Sequence, residues 1–222
     1  MPTPPYRRFI RFAPGKGNPS VSVPVRVTDM TARDAAWWDT RFGPHHLRIA
    51  DRADRFWAWS VLLPACHLVQ LFKRRYCRPL VIWARADSQQ FMRVGMSIII
   101  EQYPHLDVAD SSDAHFVWFM CAADEGVLNN HFSMSNPPKL GRVLLDNAMV
   151  LSENLGLKGR IGLHATPAGG AALLALYSAC GLLQLPKRAR LPPPIKQSND
   201  GRYFYTDEAT AAVLLANRDT DR

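Results

Sequence analysis

The stretch GRIGLHATPAGGAALLALYSACGLLQL runs from Gly159 to Leu185 and contains two short apolar segments separated by a longer one. The outer segments, Arg160–Ala165 and Leu182–Leu185, have the length and composition of buried strands. Between them, Gly169–Cys180 has apolar residues at helical spacing, and Gly181 is typical of the residue that follows a helix. The stretch therefore predicts a strand–helix–strand unit of an α/β fold.

Two glycines open the predicted helix, and a tyrosine lies one turn before its end. The glycines are Gly169 and Gly170, and the tyrosine is Tyr177. Packing explains this arrangement, because a helix tyrosine often buries its ring and hydrogen-bonds through its hydroxyl. A site for a phosphorylated ligand explains it too, because glycine lets a ligand approach the backbone closely.

Upstream, KLGRVLLDNAMVLSENLG (139–156) is the clearest helix in the sequence, and Gly156 supplies its stop. The predicted buried stripe consists of Leu140, Leu144, Ala148, Leu151 and Leu155. A helix that begins near Lys139–Gly141 points free N–H groups and a positive dipole end at its opening. Lys139 and Arg142 add positive charge, so this opening suits a pyrophosphate. The alternative is that Gly141 only helps a loop to enter a helix.

The first half of the sequence predicts a mixture of strands and helices. The predicted strands are Val23–Met30, Arg78–Asp87, Arg93–Tyr103 and His115–Ala123, of which the second and third form a hairpin. One predicted helix follows Thr31, a suitable N-cap, and another runs from Asp51 to about Tyr76 with a break near Pro64. A long loop (124–138) and a last strand (Arg202–Tyr205) complete a mixed α/β pattern, which predicts one sheet with helices on both faces.

Composition narrows the class of protein. The chain has 222 residues, of which 47% are hydrophobic, so it can bury one sizeable core. Its net charge of +8 favours an anionic partner, such as nucleic acid, an anionic membrane or a phosphorylated cofactor like coenzyme A. The four cysteines are scattered without metal-binding spacing, which predicts reduced, buried thiols in a cytoplasmic protein and no metal site.

We predict three segments along the chain. These are a basic, proline-rich N-terminal arm over residues 1–24, a single domain over 25–210 and a polar C-terminal tail over 211–222. The arm lacks the apolar stretch of a secretory signal. The apolar segment Phe56–Phe72 is too short for a typical membrane span, so we predict a buried helix and no integral membrane association. A helix lying on a membrane surface is the alternative.

The order of elements and two local motifs resemble the GNAT acetyltransferase superfamily. ALYSACGLLQL resembles the Y-x-x-x-G-F segment of that family, with Tyr177 and Gly181 in register and Leu182 in place of the aromatic residue. KLGRVLLDNA is similar to the end of the pyrophosphate-binding motif, G-x-G followed by an amphipathic helix. The resemblance departs where the family has Gln or Arg and then Gly, because this chain has Asn136 and Lys139 there.

The resemblance implies a mixed, mostly antiparallel α/β (α+β) sheet of six to seven strands with helices on both faces. It further implies transfer of an acetyl group from acetyl-CoA to an amine by direct attack in a ternary complex. The implied cofactor-binding residues are Lys139, Leu140, Gly141 and Arg142 at the pyrophosphate, Cys121, Ala122 and Ala123 along the pantetheine arm, and Gly169 and Gly170 in the second loop. Tyr177 is implied as the acid that protonates the leaving thiolate.

The group that removes the proton of the amine is harder to predict. Glu101 follows the apolar run GMSIII and is our predicted catalytic base at a strand end. Asp124, Glu125 and His164 also follow or lie on predicted strands. For each, a solvated carboxylate or a packed histidine is the simpler explanation, and water can serve as the relay in its place.

Two other functions stay open at this stage. The first is a GNAT-like binding module that has lost catalysis along with part of its pyrophosphate loop. The second is a basic protein that binds nucleic acid or a membrane surface, although no nucleic-acid-binding motif is visible. The acceptor is undetermined among a small molecule, a protein and an aminoacyl-tRNA, and the chain could form a homodimer.

Overall fold

The computed structural model describes residues 9–11, 22–49, 52–73, 76–132, 140–193, 195 and 198–219. The strands are β1 (Phe9–Arg11), β2 (Ser22–Asp29), β3 (Cys77–Arg85), β4 (Phe91–Pro104), β5 (Asp113–Ala122), β6 (Ile161–His164), β7 (Leu183–Gln184) and β8 (Tyr203–Tyr205). The helices are α1 (Ala32–Arg41), α2 (Gly43–His46), α3 (Trp59–Lys73), α4 (Glu125–Asn129), α5 (Leu140–Asn154), α6 (Gly170–Ala179) and α7 (Glu208–Asp219), and a 3₁₀ turn (Pro167–Gly169) precedes α6.

The strands form one sheet in the order β1-β2-β3-β4-β5-β6-β8-β7. Every neighbouring pair is antiparallel except β5 and β6, which are parallel. Parallel neighbours need a crossover connection, and α5 supplies it here. The predicted mixed, mostly antiparallel sheet is therefore confirmed, with seven strands from β2 to β8 and the three-residue β1 at the edge.

Helices pack on both faces of the sheet, as predicted. On one face α5 covers β4, because a Cβ at Gly95 would lie 3.3 Å from Leu144. Cys121 of β5 instead interacts with the side chain of Trp59 at the start of α3. Gly95 pairs with Ala122, the neighbour of Cys121, and successive strand residues point to opposite faces. The helices α3 and α5 therefore lie on opposite faces of the sheet.

The start of α3 differs from the prediction. The sequence predicts a helix from Asp51, but α3 begins at Trp59 and continues through Pro64 to Lys73 without a break. The carboxylate of Asp39, on α1, accepts hydrogen bonds from the backbone N–H groups of Trp59 and Ser60 at 2.7 and 2.8 Å. A cap that comes from another helix therefore sets the start of α3.

The C-terminal segment also differs from the prediction of a polar tail over 211–222. The helix α7 covers most of it, and Ala211 is fully buried. A Cβ at Gly159 would lie 2.9 Å from Ala211, and a Cβ at Gly181 would lie 2.7 Å from Leu214. The helix packs against these two positive-φ glycines, which lie before β6 and after α6.

Several local predictions are confirmed. Thr31 caps α1 in a reciprocal capping box with Asp34, and Gly181 has φ +84° after α6. The stripe of α5 is buried except for Leu155, which lies beyond the last helical residue and is exposed. All four cysteines are buried and reduced.

Parts of two predictions lie outside the described residues. Residues 1–8 and 12–21 of the predicted arm are among these, whereas residues 9–11 form β1 and pair with β2. Residues 133–139 of the predicted long loop are also outside, and its described beginning contains α4. Within the described ranges, no helix is both long enough and apolar enough to cross a bilayer.

Candidate functional site

Strands β5 and β6 pair only at their starts. The paired residues are His115 with Ile161, Phe116 with Gly162 and Val117 with Leu163. Beyond them β5 continues to Ala122, whereas β6 ends at His164. No described strand pairs with 118–122 on the side of β6, so the sheet opens there. We call this opening the split.

A cavity of about 1200 Å³ occupies the split. It is lined by the segment before α3, by α3 itself, by β4, β5, β6 and β8, by the start of α5, by the segment from β6 to α6 and by Ile195. Its lining includes Arg52, Asp54, Trp57, Trp118, Cys121, Ala122, Gly141, Leu144, Leu163, His164, Gly169 and Tyr177. Val69 of α3 and Leu144 of α5 both contribute, so the cavity is lined from both faces of the sheet.

Tyr177 lies on α6 with its side chain in the cavity wall. Its ring centroid is 5.5 Å from that of Phe204 on β8, and the residue is buried. Burial raises the pKa of its hydroxyl, as do Cys180 and Asp54, so the phenol keeps its proton at neutral pH. The hydroxyl has no hydrogen-bond partner among the described residues. This arrangement can offer a proton to a group in the cavity.

The two glycines before Tyr177 have different structural causes. Gly170 adopts φ +55°, a conformation that favours glycine. Gly169 has ordinary φ, but a Cβ there would lie 2.6 Å from the Leu173 side chain and 3.2 Å from Ala53. Gly169 lines the cavity and Gly170 is exposed. Backbone geometry and close packing therefore explain the pair without a ligand.

The start of α5 meets the cavity at Gly141. A Cβ at Gly141 would contact Leu176 at 3.6 Å, so the position tolerates a side chain. Leu140 is buried in the core, and Arg142 is exposed with its guanidinium donating to the Ala179 carbonyl at 3.4 Å. Lys139 lies outside the described residues. Of the four residues predicted at a pyrophosphate, the structure brings Gly141 to the cavity.

The end of β5 forms one wall of the cavity. Cys121 and Ala122 line it, and burial raises the pKa of the Cys121 thiol. Ala123 is buried outside the lining, and its N–H donates to the Val94 carbonyl. The guanidinium of Arg52 donates to the Ala122 carbonyl, so a loop side chain already holds the strand end.

Arg52 belongs to a polar network that the sequence analysis did not find. It forms an ion pair with Asp54 at 2.7 Å, and Asp54 lies 3.5 Å from the His46 ring. Asp124 is 3.1 Å from His45 and 4.0 Å from Arg52. Burial, together with the nearby Arg52, lowers the pKa of His46 to about 4, so this imidazole is neutral at pH 7. The residues lie on α2, on the segment before α3 and at the start of α4, and they carry no spacing that sequence patterns could detect.

The structure separates the predicted bases. Glu101 does not line the cavity; its carboxylate lies 3.5 Å from Arg78, and burial raises its pKa. Asp124 is held by His45 and the backbone N–H of Gly126. The side chain of Glu125 lies outside the described part. The position of Glu101 therefore does not support a role in removing the proton of the amine.

His164 is the predicted candidate that does reach the cavity. Its Nε2 lies 3.1 Å from an oxygen of Asp200, and its ring centroid is 4.4 Å from that of Tyr203. Both His164 and Tyr203 line the cavity. Asp200 lies on the connection before β8, which the sequence could not place beside β6. In the described ranges, no group of three or more His, Cys, Asp or Glu side chains has metal-binding geometry.

Comparison with known proteins rests on structure. No protein-family model and no curated sequence matches this chain. An apo structure of FdhC, described as a nucleotide-linked sugar GNAT, is similar with TM-score 0.53 and 8% identity, over 88% of this chain and 93% of that one. Spermidine N-acetyltransferase from Vibrio cholerae, solved with CoA and spermine, gives TM-score 0.49 and 13% identity, over 85% and 98%. At such identities the likeness concerns the fold alone.

Proposed function

Because this chain has the fold of the GNAT proteins, we propose that it transfers an acetyl group from acetyl-CoA to an amine. One observation carries the proposal: the split in the sheet holds a cavity that Gly141, Cys121 and Tyr177 all line. These residues lie far apart in the sequence and on three different elements. A long cosubstrate with a pyrophosphate at one end and a thioester at the other matches a cavity of this kind.

Each wall of the cavity suits a different part of the cosubstrate. The start of α5 presents its first backbone N–H groups and the positive end of its dipole, which suit the pyrophosphate. The edge of β5 that faces the split can hydrogen-bond the amides of the pantetheine arm as an added strand does. Tyr177 offers a proton donor in the buried part of the cavity.

The reaction needs two proton movements. The amine nitrogen forms a bond with the carbonyl carbon of the thioester and loses a proton, and the carbon–sulfur bond then breaks. The electron pair leaves on sulfur, and we assign Tyr177 to protonate the thiolate. A buried phenol with a raised pKa is protonated at neutral pH and can therefore act as this acid.

Calorimetry with acetyl-CoA, combined with one substitution, tests the proposal. Gly141→Asp puts a carboxylate at the start of α5, where the structure has room for a side chain. We expect micromolar binding by the wild type and about tenfold or greater loss of affinity in the variant, because like charges repel. Gly43→Asp is the matched control, because a Cβ at Gly43 has no neighbour within 4 Å. Equal affinities in all three proteins would contradict the pyrophosphate assignment.

One observation favours the alternative of a binding module without catalysis. Arg52 already donates to the Ala122 carbonyl at the strand end where the pantetheine arm is proposed to lie. If this hydrogen bond persists, the Ala122 carbonyl is not free to accept a hydrogen bond from the pantetheine arm. Binding of acetyl-CoA without release of thiol in the presence of amines would support the module.

A further inference from the structure

The cavity is lined by two sets of side chains on opposite faces of β6 and β8. Leu163 pairs with Phe204 and His164 pairs with Tyr203, and successive strand residues point to opposite faces. Tyr177 contacts Phe204 and so belongs to the first face. On the second face, the rings of His164 and Tyr203 pack against each other in a tilted arrangement. A ligand that approaches from the second face therefore meets the proposed thioester from the side opposite Tyr177.

The lining on this second face is aromatic and apolar. The rings of Tyr103 and Phe116 are 5.0 Å apart, and both line the cavity. Ile195 and Tyr203 join them in the lining, and Phe116 and Ile195 also pack against the small core that contains Tyr203. We call Tyr103, Phe116, Ile195 and Tyr203 the aromatic wall.

The cavity has few charged side chains among its described lining residues, and its carboxylate is already paired. Among the described residues that line it, Asp54 is the one carboxylate. Asp54 is buried and held by Arg52 at 2.7 Å and by His46 at 3.5 Å. A polycation would have to lose its hydration without gaining a free counter-charge from these residues, which is costly. A single amine on an aromatic body loses far less and gains contacts with rings.

We propose that the aromatic wall is the acceptor subsite, and that the acceptor is a small monoamine carried on an aromatic or apolar body. This inference rests on the proposed acetyl transfer. It names the substrate class of that same cavity.

A thiol-release assay with a panel of amines tests the acceptor class. We expect phenethylamine to have a kcat/KM at least about tenfold above that of spermidine. Phe116→Leu should raise the KM for phenethylamine by about three- to tenfold through loss of ring contacts, while affinity for acetyl-CoA is unchanged. Phe91→Leu, at a half-exposed ring elsewhere on the sheet, is the control.

The assay results distinguish failure of the proposed acceptor class from failure of the proposed acetyl transfer. A preference for spermidine, or no turnover of any amine by a protein that binds acetyl-CoA, overturns the acceptor class. Absence of acetyl-CoA binding overturns the proposed function itself, and the acceptor class falls with it.

His164 and Asp200 form a pair at the cavity that supports a second proposal. The Nε2 of His164 is held by Asp200, whereas Nδ1 has no hydrogen-bond partner among the described residues. Asp200 is fixed in turn by the backbone N–H of Arg202 at 2.9 Å. Facing the imidazole are Asp200 and Tyr203, while the Arg202 guanidinium is occupied by the carbonyls of Ala165, Thr166 and Gly170.

The geometry points to His164 as the group that takes the proton of the attacking amine, with Asp200 as its positioning residue. As the nitrogen–carbon bond forms, the amine proton passes to the free ring nitrogen of His164. The carbon–sulfur electron pair leaves on sulfur, which Tyr177 protonates. Exchange with solvent then returns both residues to their starting protonation states. The acid and the base thus act from opposite faces of the sheet.

Replacement of the imidazole tests this role. We expect His164→Gln to lower kcat/KM about a hundredfold, to leave acetyl-CoA affinity and melting temperature unchanged, and to regain rate with added imidazole. Asp200→Asn should lower kcat less and keep the pH profile of a histidine base. His67→Gln, on the exposed side of α3, is the control. If no amine on the panel is acetylated, the same variants are compared by their rate of acetyl-CoA hydrolysis, in which water is the nucleophile. Unchanged rates, or loss of rate that only follows loss of folded protein, overturn the assignment.

Discussion

Tyr177 packs its ring against Phe204 while its hydroxyl has no hydrogen-bond partner in the described part of the chain. The ring therefore accounts for the packing of Tyr177, and the hydroxyl makes no hydrogen bond that would stabilise the described fold. Tyr177 lines the cavity, so its hydroxyl can bond to whatever group or water occupies that space. At the residue scale, the hydroxyl is therefore a polar group that a ligand in the cavity can reach.

Tyr177→Phe separates packing from catalysis, because it keeps the ring and removes only the hydroxyl. We expect kcat to fall by about tenfold to a thousandfold, with acetyl-CoA affinity and melting temperature nearly unchanged. Tyr76→Phe, at an exposed tyrosine, is the control. A lower melting temperature with unchanged turnover per folded molecule would show that Tyr177 is a structural residue.

His115 gives a prediction about pH. Burial lowers its pKa to about 4, although the Ala148 backbone favours the charged form. The unfolded chain binds a proton below about pH 6.5, so between these values it holds a proton that the folded chain lacks. Stability therefore falls as pH drops through this window, by about 2 kcal/mol between pH 7.5 and 5 from His115 alone.

His115→Leu should remove this contribution. We expect urea unfolding to show a smaller loss of free energy between pH 7.5 and 5 in the variant than in the wild type. His46, whose pKa is also about 4, keeps its own contribution in both proteins. His67→Leu, at an exposed histidine, should retain the wild-type dependence. Parallel pH curves for wild type and His115→Leu would show that His115 is not responsible.

At the scale of elements, α3 shows how a tertiary contact overrides local signals. The acids near Asp51 suit a helix start, yet the structure begins the helix at Trp59. The Asp39 carboxylate satisfies the N–H groups of Trp59 and Ser60 and also accepts from the Ser60 hydroxyl at 2.6 Å. The seven described residues before the helix, 52–58, bring Arg52 and Asp54 to the cavity.

Asp39→Ala tests this cap. We expect it to lower the free energy of unfolding by about 1–2 kcal/mol, because two backbone N–H groups lose their acceptor. Glu153→Ala, at an exposed carboxylate on α5, should cost much less. Denaturant unfolding measures both. Equal effects would mean that solvent caps α3 as well as Asp39 does.

At the scale of the whole molecule, several basic side chains of the described residues are bound within the fold. Arg93 holds Asp34 at 2.7 Å, Lys158 holds Glu208 at 2.8 Å, and Arg202 is bound by backbone carbonyls. The two ion pairs are neutral overall, so the net charge of +8 resides on other side chains.

The helix α7 packs against the part of the fold that contains β6 and α6. Leu214→Ala should lower the free energy of unfolding by about 1–2 kcal/mol, because Leu214 packs over Gly181 at the end of the helix that carries Tyr177. Val213→Ala, on the exposed face of the same helix, should have little effect. The two values come from denaturant titrations. Similar costs for both variants would show that α7 is not a packed part of the fold.

The sequence by itself determined the features that depend on near neighbours. Periodicity located β3–β5, α5 and α6. The capping box of Thr31 and the glycine Gly181 marked helix ends, because helix caps and stops act within one turn. Motif order was sufficient to predict the fold and to place Tyr177 and Gly141 on the elements that meet at the cavity.

Only the tertiary structure decided what depends on distant residues. Asp39 is 20 positions from the helix start that it caps, and Asp200 is 36 positions from His164. Residues 208–219 pack against two glycines far upstream, and the Glu101 carboxylate lies beside Arg78 of the neighbouring strand. Such contacts leave no periodic trace in the sequence, because the chain brings them together only when the sheet closes around its core.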